Sequence, residues 1–213
     1  MVPGRDVVER ADAARNRRRI LAAAAGLLTS GGPGHVSIDA VAAAAGVGKG
    51  TVFRRFGSRA GLMHALMEQH VADLAESVTS GPPPLGPGAP ALVRLTAFLD
   101  AVVEVTARNA AIMAAYDQAL AAPESTLSTD RIRTVYDAWH AHVSALITEA
   151  RPGLDAELLA HILLDSLHGD LARRLLADGE PGRLTATLNH LVTVLLGPAD
   201  TGTACTTITE PGQ

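Results

Sequence analysis

Two sets of side chains in this chain have the types and spacing to do chemistry. Asp137 with His140, and Asp165 with His168, each set a carboxylate and an imidazole three positions apart, on one face of a helix. His161 and Glu157 extend the second pair into a stripe. Such groups can ligate a divalent cation from within a helical bundle. The same stripe equally describes a solvated or interface-rim edge, and that reading is preferred: no metal and no cofactor is expected. The second set is cationic, comprising Arg17, Arg18, Arg19, Lys49, Arg54, Arg55 and Arg59, with Thr51 among them. It suits the phosphates of a nucleic acid. Gly46-Val47-Gly48-Lys49-Gly50 lacks the spacing and the preceding strand of a phosphate-binding loop. With no nucleophile-base arrangement either, the chain reads as non-enzymatic.

The elements that must position these groups are helices. Ala and Leu abundance and helix-period spacing predict segments over about 11–30, 37–45, 49–56, 58–80, 91–107, 109–121, 125–150, 155–177 and 183–196. Ser37 can cap the second of these, and Gly46-Val47-Gly48 breaks it with a sharp turn. Two short helices joined by a Gly-containing turn are the helix-turn-helix signature. Residues 81–90, rich in Pro and Gly, predict a stiff, extended connector. The fold class is all-α with about nine helices: a three-helix helix-turn-helix domain over 1–62, a helical body over 63–197, and a polar tail over 198–213.

Charge is divided the same way. The 213 residues carry a net charge of -4, but residues 1–62 hold ten positive and four negative side chains, a balance of +6. The remainder holds eight against eighteen, a balance of -10. A basic helix-turn-helix on an acidic body is the electrostatic layout of a duplex-DNA reader with a second function. A lone cysteine, Cys205, fits a reduced compartment. No apolar run approaches the ~20 residues of a membrane span. Arg17 to Leu28 imitates a signal peptide, but Asp6, Glu9 and Asp12 precede it and no A-x-A site follows, so a cytoplasmic location is expected.

The run Ser37-Ile-Asp-Ala-Val-Ala-Ala-Ala-Ala-Gly-Val-Gly-Lys-Gly-Thr-Val-Phe-Arg-Arg-Phe-Gly-Ser-Arg-Ala-Gly-Leu62 resembles the DNA-binding segment of the TetR family of bacterial transcriptional regulators, mostly repressors. The resemblance covers roughly residues 15–66. It implies DNA-backbone contacts at Ser37, Phe53, Arg55 and Arg59. Arg54, Arg55 and Arg59 suit phosphates by charge, whereas Arg54 and the Arg17–Arg19 run could equally be solvated. Val52 and Phe56, four apart, can seat the second helix in the core with Val41 and Leu62, leaving Lys49 and Thr51 to enter the major groove. Lys49 could reach guanine acceptors and Thr51 a thymine methyl or a phosphate. Gly50 would let the backbone approach closely. Phe53 stands where many relatives carry Tyr; lacking a hydroxyl, it is expected to pack against sugar or core. Ser58 can cap the next helix so that its amides help hold a phosphate, while Ala60 stands where an acidic residue is common, so the acidic partner of a capping box is missing.

For the acidic body the resemblance implies a small-molecule effector site and a homodimer through the last two helices, near 155–177 and 183–196. Leu158, Leu159, Ile162, Leu163, Leu164, Leu167, Leu171, Leu175 and Leu176 cover more than one helix face, more than a single core demands. Candidate effector residues are Phe98, Met113, Tyr116, Asp117, Trp139 and His140, against the alternative that they are core. The expectation is a ligand-responsive repressor on a palindromic operator of double-stranded DNA, its small-molecule effector unknown, with no membrane partner. A metal-dependent helical-bundle enzyme and a regulator sensing a protein partner are the alternatives.

Overall fold

The computed structural model describes residues 4–117, 129–167 and 169–197. Among them are nine α-helices, one short 3-10 turn and no strand. The first unit comprises α1 (Gly4–Gly31), the 3-10 turn (Pro33–His35), α2 (Ile38–Ala45), α3 (Lys49–Phe56) and the start of α4 (Arg59–Ser80). Its core is Ile20, Leu21 and Ala24 of α1, Val41, Ala42 and Ala45 of α2, Val52 and Phe56 of α3, and Leu62, Met63, Ala65, Leu66 and Met67 of α4. Each large apolar side chain so buried contributes about 1.5–3 kcal/mol.

The helical body follows with α5 (Ala91–Asp117), α6 (Thr129–Ala150), α7 (Ala156–Asp165), α8 (Asp170–Ala177) and α9 (Pro181–Leu196). Leu95, Phe98, Leu99 and Val102 of α5 pack with Val143, Leu146 and Ile147 of α6, Leu163 and Leu164 of α7, and Leu188, Val192 and Leu196 of α9. Two polar ties pin α9: Asn189 donates to the Asp100 carboxylate at 2.8 Å, and Arg151 donates to the Gly197 carbonyl at 2.6 Å.

Three sequence expectations need correction. The predicted break between 91–107 and 109–121 is absent: one helix runs from Ala91 to Asp117 across Arg108 and Asn109, because neither residue breaks a helix as Gly or Pro does. The segment 155–177 is two helices, since the chain leaves α7 after Asp165 and re-enters a helix behind Gly169. The 81–90 connector folds back instead of extending: the Gly86 amide donates to the Pro82 carbonyl at 3.1 Å. Leu85 packs on the body core.

The two cores share a beam. α5 gives Phe98 to the body core and, from its other end, the buried Ile112 to the first unit's core. Beside Ile112, Asn109 of α5 meets His70 of α4 at 2.9 Å. The core of the helix-turn-helix unit is therefore completed by a helix of the body.

Candidate nucleic-acid interface

α2 and α3 are shaped by their ends. The Ser37 hydroxyl accepts from the Ala40 amide at 3.1 Å, as an N-cap. Gly46 closes α2 in the left-handed region, at φ 62°, where a side chain would be strained. The chain thereby turns to present α3 across α2. On α3, Val52 and Phe56 are buried while Lys49, Gly50, Phe53, Arg54 and Arg55 are exposed and Thr51 is half-buried. The spacing of four residues between the two anchors forces this division.

A Cβ built on Gly50 would meet nothing within 4 Å, so no packing within the chain requires glycine there. Phe53 is 60% exposed, which removes the core option. The next helix is capped by Ser58, as its sequence position suggests: the hydroxyl accepts from the Gly61 amide at 3.1 Å, with no acid at position 60.

The cations divide by what they touch. Arg17 stacks over the Phe56 ring at 5.4 Å and lies 3.9 Å from Glu68, so it braces α1 on α3 and α4. Arg19 leans on Asn16 at 3.3 Å, and Arg18 is exposed. Arg55 donates to the Ala13 carbonyl of α1, and Arg59 is half-buried at the start of α4. Lys49, at the first turn of α3, is paired across the turn with Asp39 of α2, 2.8 and 3.0 Å from its two oxygens. The sequence reading missed Asp39, because nothing in a linear pattern shows that residues ten apart will meet.

In the body, Phe98 is buried and Trp139, half-buried, meets it edge-on at 6.2 Å. His142 packs against Phe98 at 4.8 Å, and burial, with Arg94 nearby, pushes its pKa below the ordinary 6.5. His142 Nε2 and Arg94 Nε are buried without a hydrogen-bond partner; neither residue was among the sequence candidates. His140 turns elsewhere, stacking on Tyr136 and meeting the Glu157 carbonyl at 3.0 Å. The side chains of Met113, Tyr116 and Asp117 lie outside those described, as does His168.

The polar stripe of α7 is tied to α6. The Tyr136 hydroxyl lies 2.5 Å from His161 Nδ1 and 3.3 Å from Asp165, whose charge, behind burial, raises the tyrosine pKa. Among the described residues no three His, Cys, Asp or Glu side chains are grouped to hold a metal.

Two short helices across a glycine turn, one presenting a cationic face, on an all-helical body make the architecture of a helix-turn-helix protein. Residues 20–66 match the family model of the bacterial regulatory proteins of the tetR family. Solved structures similar to the chain include a transcriptional regulator from Rhodococcus sp. Rha1, at 24% identity, 84% of this chain, 95% of that one and TM-score 0.57. Another is a transcriptional regulator of the TetR/AcrR family from Thermobifida fusca YX-ER1, at 19% identity, 83% and 95% coverage and TM-score 0.54. A third is the transcriptional regulator FadR from Bacillus subtilis in complex with stearoyl-CoA, at 17% identity, 84% and 97% coverage and TM-score 0.50. No curated protein matches the sequence. Residues 20–66 are thus a TetR-family helix-turn-helix segment, and the chain has the fold of that family's transcriptional regulators.

Proposed function

We propose that this protein is a homodimeric transcriptional repressor of the cytoplasm that holds a palindromic operator through α3 and releases it when a small molecule binds the helical body. The observation that carries the reading is the division of α3, with its apolar pair sunk in the core and Lys49, Gly50, Thr51, Phe53, Arg54 and Arg55 left on the other side. Lys49 and Thr51 address base edges in the major groove. Ser37, Phe53, Arg54, Arg55 and Arg59 address the backbone.

Dimer formation is supported by apolar side chains exposed on the last three helices: Leu158 and Ile162 of α7, Leu171 of α8, and Leu191, Val194 and Leu195 of α9. Val194 is 68% exposed, and a row of such residues is the signature of a face that is covered in the working protein. A two-fold axis there would set the α3 helices on half-sites about 34–36 Å apart, or a multiple of it.

The effector is assigned to the body, near Phe98 and Trp139, with Met113, Tyr116 and Asp117 as further candidates; His140, turned to Tyr136 and Glu157, is set aside. The stearoyl-CoA complex of FadR supports a body of this fold as a ligand-holding one. α5 offers the route outward, since it lines the body core with Phe98 and seats Ile112 beneath the helix-turn-helix unit. A ligand acts only by favouring one α5 position over another. Footprinting on DNA adjacent to the coding region, followed by a screen for compounds that release it, tests the proposal. A protected inverted repeat is expected, and protection with no symmetry would contradict the dimeric reading.

A further inference from the structure

Asp39 is out of place electrostatically. Between residues 13 and 67 it is the single acidic side chain, among Arg15, Arg17, Arg18, Arg19, Lys49, Arg54, Arg55 and Arg59. It sits one residue inside α2, beside the Ser37 cap. A carboxylate there repels the phosphates that the surrounding cations attract. Nothing in the packing asks for it: its side chain is 68% exposed, and its ion pair is with Lys49, itself 66% exposed. An exposed pair of this kind adds little to the fold. An acid at the start of a helix is favoured by the helix dipole, but α2 already has its cap from Ser37.

What the pair does is hold the Lys49 ammonium. With its two oxygens 2.8 and 3.0 Å from Nζ, Asp39 engages Lys49 from both and keeps the long side chain over the α2–α3 turn. A free lysine at that place would reach any nearby phosphate, a contact that carries no sequence information. A lysine held by Asp39 gains less from a phosphate. Held over the turn, the ammonium can keep Asp39 and still donate to a base-edge acceptor that faces it, such as O6 or N7 of guanine, whereas swinging out to a phosphate breaks the pair.

We propose that Asp39 is a specificity-determining residue: it restrains Lys49 and lowers affinity for indiscriminate DNA more than for the operator. It is a positioning residue, acting through Lys49. The proposal rests on the α3 reading of DNA given above.

Full-length native protein enriches duplexes from a randomised library, and binding to the enriched duplex and to its scrambled counterpart is then measured for native, Asp39→Asn, Lys49→Ala and the double variant. Asp39→Asn is expected to bind scrambled duplex about tenfold tighter and the enriched duplex only slightly tighter. The ratio of the two affinities then falls by roughly five- to tenfold, and the salt slope on scrambled duplex steepens by about one counterion. In the Lys49→Ala background the same substitution shifts both affinities equally and leaves the ratio fixed. Equal tightening on both duplexes in the native background would overturn the proposal as a plain charge effect. So would a ratio change that survives without Lys49. Failure of the native protein to enrich any sequence would sink the α3 reading, and this inference with it.

Discussion

Gly50 and Gly61 are present for opposite reasons. At Gly50 a methyl group would enter open space, on a helix where glycine costs up to ~1 kcal/mol against alanine. Gly50→Ala is therefore expected to leave the melting temperature equal or slightly higher while weakening operator binding by roughly tenfold, because the constraint is the surface of the DNA. At Gly61 the same methyl would sit 2.0 Å from the Phe56 carbonyl oxygen. Gly61→Ala must push α4 off α3 and is expected to cost about 1–3 kcal/mol in urea unfolding. Sequence alone showed why position 50 suits a close approach; it could not show Gly61, whose need arises from one backbone meeting another. His142 has a solution signature. Its pKa is lower folded than unfolded, chiefly through burial and then through Arg94, so the unfolded chain binds more protons just below pH 6.5. Stability is full above 6.5 and is lost as pH falls toward the folded value. Thermal melts of His142→Gln between pH 7.5 and 5.5 should lose that part of the acid sensitivity.

At the scale of elements, the first unit was legible in sequence because its signals are local. Ser37, Gly46, Gly48 and the Val52–Phe56 pair each fix a cap, a turn or a buried face within a few residues. The body was legible as helices but not in their joints. α5 runs on through Arg108, where the predicted segments divide, because Asn109 is held against His70 of α4 and Ile112 is buried beyond it. Its role as the beam between two cores depends on that continuity. Ile112→Ala, emptying a site only 1% exposed, is expected to destabilise the protein by about 2–4 kcal/mol. The exposed apolar residues of α7 to α9 carry a different expectation. Val194→Glu should leave helix content unchanged and convert a dimer to a monomer in sedimentation, whereas an unaltered dimer would place the interface elsewhere.

For the whole molecule, the net charge of -4 describes neither part. A +6 segment and a -10 body face different partners, and a dimer presents its basic segment twice, so duplex binding should weaken steeply with salt despite the overall negative charge. On the proposed function, α3, anchored by Val52 and Phe56, reads base edges with Lys49 and Thr51. This reading is tested most directly by carrying the Lys49→Ala, Thr51→Ala double variant through selection of duplexes from a randomised library. The double variant is expected to melt as the native protein does, to bind duplex still in low salt through its remaining arginines, and to enrich no sequence. Enrichment of the same sequence as the native protein, with the same discrimination against its scrambled form, would contradict the reading.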